Sequence, residues 1–469
     1  MPSLHHLQRR REQFLDSIDH PALLLAGGWQ SRNYPQNTIP YRADSSILFF
    51  LSDPEPDSAL FFDPADRSVT LFLHERTTED ALWHGTAPSF EAMGDLHGVT
   101  HVEAVETLKD RVLARANGRR ISSLAVVDRN ATQLASEITG QNLDFYDVAN
   151  IGQPELVAIL GTLRRSKEEE EIAEMRKTAE VTAQAHTAAM RHSKPGVSEQ
   201  LLAGIVDGTF ARHGCVPAYG SILSVRGEVL HNHAHDNLLA RGDIVLLDAG
   251  AENRSGYCSD VTRCWPADGS FSPEASEIYD IVLRAETEAI DIVRPGVRYR
   301  DLHMTSSRVI AEGLTGMGLL RGSVDSILES GAHAVFFPHG VGHLIGLDVH
   351  DMEGFGDQVA YASERSRSDQ FGTGYLRLDL DLEPGMSFTV EPGIYFVPAI
   401  LHSDSFRQRF ADQVDFERAE RFLEMNDGRG FGGIRIEDDV VCTAEGHEVL
   451  TASTPKAREE VTVLVGAAI

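Results

Sequence analysis

Apolar residues in this chain fall into two kinds of run, and the kind changes near residue 160. Before that point, short aliphatic and aromatic stretches at 22–26, 47–51, 59–62, 69–73 and 124–127 read as strands of an α/β domain. Positions 58–73 predict a hairpin turning through Asp63-Pro-Ala-Asp-Arg-Ser. From Ser166 the spacing becomes helical. Ser166-Lys-Glu-Glu reads as a capping box ahead of an apolar stripe at Ile172, Met175, Ala179 and His186. That helix stops at Lys194-Pro-Gly-Val, and Ser198 caps the next. A hundred residues further on, Ser272-Pro opens a second amphipathic helix that closes at Arg294-Pro-Gly-Val, again followed by helix. The repeated unit predicts an internal duplication; two unrelated proline–glycine stops are the plainer alternative.

Four acids sit on apolar runs in the second part. Asp248 and Asp260 lie in Ile244-Val-Leu-Leu-Asp-Ala-Gly and Gly256-Tyr-Cys-Ser-Asp-Val-Thr. Glu391 and Glu437 lie in Phe388-Thr-Val-Glu-Pro-Gly and Gly433-Ile-Arg-Ile-Glu-Asp-Asp. Residues 252–256 are turn-formers, so 244–264 predicts a hairpin. If it is symmetric, Asp248 and Asp260 lie opposite each other, about 5 Å apart at Cβ. A solvated aspartate pair on an exposed turn is the bland alternative. Burying four carboxylates without cations is untenable, and a pair of divalent ions answers that cost.

Three histidines follow within Pro338-His-Gly-Val-Gly-His-Leu-Ile-Gly-Leu-Asp-Val-His-Asp, namely His339, His343 and His350. A single histidine there would read as a core residue; three in a glycine-punctuated apolar segment point to function. Four carboxylates with one imidazole form a hard, oxygen-rich donor set that suits manganese. Two such ions would supply a nucleophile at neutral pH and polarise a scissile carbonyl, which points to hydrolysis.

Composition narrows the class. The 469 residues suit two domains. Lys plus Arg total 42 against 71 Asp plus Glu, a net charge of −29 that argues against nucleic acid or an anionic membrane as partner. The N-terminus lacks the apolar core of a signal peptide, and no stretch reaches the roughly 20 apolar residues of a membrane span. Cysteines 215, 258, 264 and 442 show no CxxC spacing, so free thiols and a cytoplasmic location are expected.

With these residues in hand the chain resembles the proline-specific metallopeptidases of the pita-bread fold, the aminopeptidase P and prolidase group. The matching motifs are Leu247-Asp-Ala-Gly, Ser259-Asp-Val-Thr-Arg, His339-Gly-Val-Gly-His with Leu347-Asp-Val-His-Asp, Thr389-Val-Glu-Pro-Gly-Ile-Tyr and Gly433-Ile-Arg-Ile-Glu-Asp-Asp. The resemblance implies a pita-bread catalytic domain with a pseudo-twofold repeat at 161–469, behind a smaller α/β domain at 1–160 that shapes the cleft and helps subunits associate. Tyr41-Arg-Ala-Asp-Ser-Ser and Ser52-Asp-Pro-Glu-Pro-Asp are similar to that N-terminal domain. The implied ligands of two divalent ions are Asp248, Asp260, His343, Glu391 and Glu437.

His231, His339, His350 and Arg435 fall on the family's other active-site positions. The three histidines would line a proline pocket, with His350 stabilising the oxyanion; Arg435 would orient carboxylates or contact substrate. Trp83 resembles a tryptophan that reaches toward substrate, and an interface or core aromatic is the alternative. His233 and His235 would share the face of His231 as spares, and a surface metal-scavenging run is the alternative for that alternation. The implied substrates are small peptides with proline second, and the implied assembly is a homo-oligomer, dimer or tetramer.

Substrate length divides the resemblance. Arg377, 14 residues before Glu391, matches an arginine that prolidases present to a dipeptide carboxylate, and the long segment 396–431 is also prolidase-like. Leu380 stands where a second basic residue is usual, and 168–190 with the Leu450-Thr-Ala-Ser tail look more like aminopeptidase P. Aminopeptidase activity ranks first, with dipeptidase activity as alternative. Methionine aminopeptidases share the ligand set but lack such an N-terminal domain. Non-catalytic pita-bread modules have typically lost ligands, and none is lost here.

Overall fold

A computed structural model describes residues 2–86 and 88–467. The chain forms two compact units, one built mainly from residues up to Arg165 and the other from Ser166 onward.

The first unit is organised by a five-stranded mixed sheet. Its strands are β1 (Ala22–Leu25), β2 (Ala59–Asp63), β3 (Ser68–Leu73), β4 (His101–Ala104) and β5 (Ser122–Ser123), in the order β4-β3-β2-β1-β5. The expected hairpin is present as β2–β3, closed by Asp63 opposite Ser68. Two strand expectations are corrected. Residues 45–48 form a short helix because the Asp44 carboxylate caps it, accepting from Ser46 N at 2.8 Å. Residues 124–127 carry only an isolated bridge at Leu124. There the Thr132 hydroxyl contacts both Val126 N and Val126 O, taking the place of a ladder partner.

The second unit is built twice. Its first half contains α1 (Glu169–His192), α2 (Glu199–Arg212), β6 (Ile222–Ser224), β7 (Ile244–Asp248) and β8 (Thr262–Pro266). Its second half contains α3 (Pro273–Asp291), α4 (Tyr299–Gly316), β9 (Ser387–Val390), β10 (Gly393–Tyr395), β11 (Gly433–Arg435), β12 (Asp438–Cys442) and β13 (His447–Val449). The start of α1 falls later than expected. Glu168 is the cap residue, its N–H donating to the Glu171 carboxylate at 2.8 Å, while Ser166 bridges Met386.

The duplication extends to single hydrogen bonds. Gly196 N donates to Leu239 O at 2.7 Å, and Gly296 N donates to Leu382 O at 2.8 Å. Leu239 N returns to Val197 O and Leu382 N to Val297 O, both at 2.8 Å. Each Pro-Gly-Val stop therefore docks onto an extended segment that leads to a three-stranded sheet, β8-β7-β6 in one half and β9-β12-β13 in the other. The two sheets meet at a bridge between Thr262 and Glu437. Behind β7 and β8 lies a core of Leu202, Val206, Phe210, Leu223, Val245, Leu247 and Trp265. The strand ends rest on that core, and the chemistry is placed at those ends.

Candidate active site

Each predicted acid sits where a strand begins or ends. Asp248 closes β7, Asp260 precedes β8, Glu391 follows β9, and Glu437 lies between β11 and β12. The symmetric hairpin register is corrected: Asp248 pairs with Thr262, so Asp260 lies diagonally from Asp248. An even shift keeps both aspartates on one face. The residue across from Asp260 is Gly250, where a Cβ would come within 1.7 Å of Ser259 O. Only glycine admits that close backbone approach.

The structure draws Asp260, His343 and Glu437 together, one donor atom of each lying within 4.8 Å of the others. His343 Nε2 is 3.5 Å from Asp260 Oδ2 and 3.7 Å from Glu391 Oε1. Its Nδ1 contacts Leu344 O at 3.0 Å, and a carbonyl only accepts, so Nδ1 carries the proton. The lone pair on Nε2 then faces two carboxylates, an arrangement that a cation between them would satisfy. A histidine oriented through its second nitrogen is how proteins present a metal ligand.

Asp248 is held at the edge of this group. Tyr219 faces it across 2.5 Å with its hydroxyl, which also contacts Asp260. Arg435 Nη2 donates to Asp248 at 2.5 Å, its Nε to Thr262 Oγ1 at 2.9 Å, and its Nη1 to the Tyr395 hydroxyl at 3.1 Å. Thr262 in turn donates to Glu437 at 2.5 Å. Asp248, Asp260, Glu437, His343 and Arg435 are buried, and Glu391 is half-buried rather than fully enclosed.

Burial and the neighbouring Asp248 push the Asp260 carboxyl up to about 8. Burial and Asp260 push Glu437 well above its usual range, and Glu391 rises mainly through burial, against the opposing pull of His343. Asp439, which accepts from Asp260 N at 3.0 Å, is also raised by burial and by Asp260. Arg435 stays charged: burial acts against it, and Tyr395, Asp248, Glu391 and Glu437 outweigh burial. One guanidinium thus faces four carboxylates, and the deficit suits two dications.

The remaining candidates surround this group. His339 Nδ1 contacts Gly340 O at 2.7 Å, so its Nε2 accepts from the Tyr395 hydroxyl at 2.9 Å. Burial and Arg435 lower His339 to about 3, which leaves a neutral ring. His350 packs against His343 with ring centroids 4.0 Å apart and planes tilted by 48°, and Arg377 donates to its Nδ1 at 3.0 Å. His231 is exposed as a residue, and partial desolvation of its ring, followed by the charge of Arg435, lowers its pKa. The segment around it is irregular, so the alternation of His231, His233 and His235 does not mark a strand face. Trp83 belongs to a short helix of the first unit and is 73% exposed, which removes the core reading.

Sequence reasoning missed Tyr219, Thr262, Tyr395 and Asp439. Tyr395 had a weak signal, standing at even spacing four residues after Glu391 in the same motif. Thr262 lies two residues beyond Asp260 and shares its face for the same reason. Tyr219 had none, standing 29 residues before Asp248 in a loop.

Comparison with known proteins places this geometry. The profile described as metallopeptidase family M24 matches residues 173–444, and that of the aminopeptidase P N-terminal domain matches 7–123. The Escherichia coli Xaa-Pro aminopeptidase is 32% identical over 482 residues, covering 99% of this chain and 98% of that protein. The human Xaa-Pro dipeptidase is 32% identical over 451 residues, covering 94% and 87%. A zinc-substituted E. coli aminopeptidase P in complex with product superimposes with a TM-score of 0.81 at 29% identity, covering 99% of each chain. The duplicated second unit is accordingly the pita-bread catalytic fold, behind an aminopeptidase P-type N-terminal domain. With the profile spanning the cluster of acids and imidazole, the chain belongs to metallopeptidase family M24 and is a divalent-metal enzyme.

Proposed function

We propose that this protein removes the first residue from peptides whose second residue is proline. The observation that carries the reading is the cation deficit: among the described residues, four carboxylates and an imidazole lone pair converge on one guanidinium, that of Arg435. Its match to an Xaa-Pro aminopeptidase over nearly the whole chain supplies the substrate class. In this reading Asp248, Asp260, His343, Glu391 and Glu437 hold two ions, and manganese suits their oxygen-rich set. Bound divalent ions supply a water nucleophile at neutral pH and polarise the scissile carbonyl.

The side chains have separate tasks. Leu344 O fixes the His343 tautomer, and Arg435 with Tyr219 fixes the Asp248 carboxylate. His350, His339 and His231 line the substrate site, and His350 donates to the carbonyl oxygen as it becomes tetrahedral. A peptide bond before proline has no N–H, so recognition falls on a pocket for the ring instead of on that donor. Trp83, exposed on the first unit, is the aromatic we assign to substrate contact.

Arg377 supports a second reading. Its guanidinium lies beside His350, where it can meet the carboxylate that follows proline in a dipeptide. The human dipeptidase match agrees with shared activity on Xaa-Pro. The proposed domains are 1–160 and 161–469. A cytoplasmic homo-oligomer, dimer or tetramer, completes the reading. It is supported by four buried cysteines outside any disulfide and by exposed Trp29, Tyr34, Leu82 and Trp83 on the first unit. No helix among the described residues is long and apolar enough to cross a membrane. Hydrolysis of Xaa-Pro-Yaa beside Xaa-Pro with added Mn²⁺ tests the reading. The tripeptide should be cleaved first at proline; a protein that binds metal and cleaves neither peptide overturns it.

A further inference from the structure

The loop that carries His350 is fastened by a buried ion pair. Lys167 Nζ donates to Asp351 Oδ2 at 2.7 Å, and both side chains are 1% exposed. Lys167 is fixed from behind, because its N–H donates to Gly385 O at 2.7 Å and Gly385 N donates to Cys442 O at 2.8 Å. That ties it to the base of the sheet formed by β9 and β12. Asp351 is the residue after His350, and its N–H closes the loop onto Leu344 O at 2.9 Å. The loop is also joined to the segment bearing Asp260, through Cys258 N donating to Gly346 O at 2.8 Å.

Gly346 lies against the pair. A Cβ there would come within 2.6 Å of Asp351 Oδ2 and 2.9 Å of Lys167 Nζ. The sequence therefore reserves space for two charges that are costly to bury. The ring next to them packs with its centroid 4.0 Å from that of His343 and receives Arg377. Nothing in the ligand set needs this pair, yet it fixes the chain one residue from His350.

We infer that Lys167 and Asp351 are positioning residues for the reaction, holding the His350 imidazole at its working place through the loop they close. This rests on the hydrolase reading above. It differs from a stabilising role because it acts on turnover after folding is restored.

Two variants test it. Gly346→Ala displaces the pair while leaving both charges and all five proposed ligands. The double variant Lys167→Met, Asp351→Leu replaces the pair with apolar side chains and avoids stranding one buried charge. Each is assayed on Xaa-Pro-Yaa beside wild type, with metal content and unfolding midpoint measured on the same preparations. The expected result is wild-type metal content, KM within about twofold, and kcat lower by about ten- to a hundredfold, the scale of a small misplacement. The His350 ring resonances of the zinc form, assigned with His350→Ala, should shift in both variants. Lys167→Arg, which keeps the ion pair, should recover most of kcat.

Wild-type kcat in either folded variant overturns the inference, and so does loss of metal at saturating concentration. If the double variant does not fold, Gly346→Ala decides alone. A wild type that cleaves no Xaa-Pro peptide defeats the hydrolase reading instead, and the ring resonances then judge the positioning role by themselves.

Discussion

Glu437 and Asp438 are neighbours in sequence and belong to two differently built acid clusters. Alternation along the strand sends them to opposite faces, and Thr262 and Arg263 divide the same way. Thr262 bonds Glu437 on one face, and Arg263 bonds Asp438 at 2.7 Å on the other. Behind the sheet the charges are matched. Arg263 is fully buried and uses all five donors, on Asp438, Thr262 O, Glu437 O, Thr454 O and Pro455 O. Lys456 bridges Glu286 at 2.7 Å and Asp438 at 2.6 Å. In front of the sheet, Asp248, Glu391, Glu437 and Asp260 all feel the charge of Arg435.

The pKa directions separate Asp438 from the front acids, while its partner Glu286 is itself pushed up to about 8 by burial and by Asp438. Asp438 is held well below its usual range, because Arg263 and Lys456 overcome the upward push of burial. Asp260 and Glu437 are pushed up by burial and by each other's neighbourhood of acids. A closed cluster stabilises the fold; an open one is a site awaiting cations. Burial of acids alone does not distinguish the two, and the count of facing cations does.

The largest expected effect comes from opening the front cluster. Asp260→Ala or Glu437→Ala should lower kcat/KM by more than about a hundredfold, beyond the loss typical of an outer-shell partner. Metal content should fall, and the protein should remain folded by circular dichroism. Full activity at saturating metal would break the distinction. The complementary cut behind the sheet is Arg263→Met, which leaves Asp438 with Lys456 as its one remaining cation among the described residues and strips the carbonyls of Thr262, Glu437, Thr454 and Pro455 of their buried donor. It should cost about 3–5 kcal/mol in denaturant unfolding, the scale for breaking a buried ion pair. A folded Arg263→Met protein of wild-type stability would contradict the closed-cluster account.

His350→Ala sharpens the comparison within the front cluster. It should retain metal and lose about a hundredfold in kcat, as removal of one oxyanion donor typically does. Loss of metal with normal turnover per bound ion would reassign it as a ligand.

The pH dependence of the metal-free protein has a definite sign. A carboxyl whose folded pKa is raised stabilises fully below its unfolded pKa and loses that contribution as pH rises through the folded value. Asp260, raised to about 8, therefore withdraws stability between about pH 4 and 8, and Glu437 and Glu391 act in the same direction. Unfolding midpoints of chelator-treated protein should fall across that window, and Mn²⁺ should raise them most at its upper end. A midpoint independent of pH and of metal would remove the electrostatic basis of the site.

The smallest expected effect concerns Arg377. Arg377→Ala should raise KM for Xaa-Pro by about ten- to a hundredfold, the worth of a charge-assisted pair, and change Xaa-Pro-Yaa much less. Equal effects on both substrates would favour an arginine that serves His350 instead of a dipeptide carboxylate.

Much of this was legible before any coordinates. Strand runs ending in acids placed Asp248 and Glu391, and the Pro-Gly-Val stops announced the duplication. Local periodicity could not see the hairpin register, which depends on the contact between Gly250 and Ser259 O. It also misread residues 47–51, where the Asp44 cap outweighs β propensity. Tyr219 and the Lys167–Asp351 pair stayed hidden because each joins residues far apart in the chain with no shared period.

The most direct test is a metal titration of the stripped protein, with bound Mn²⁺ counted by mass spectrometry and Xaa-Pro-Yaa hydrolysis followed on the same samples. The account predicts two ions per chain, activity that rises with loading, and at most one ion with negligible activity in Glu437→Ala. Hydrolysis by the stripped protein, or unchanged loading and activity in Glu437→Ala, would contradict it.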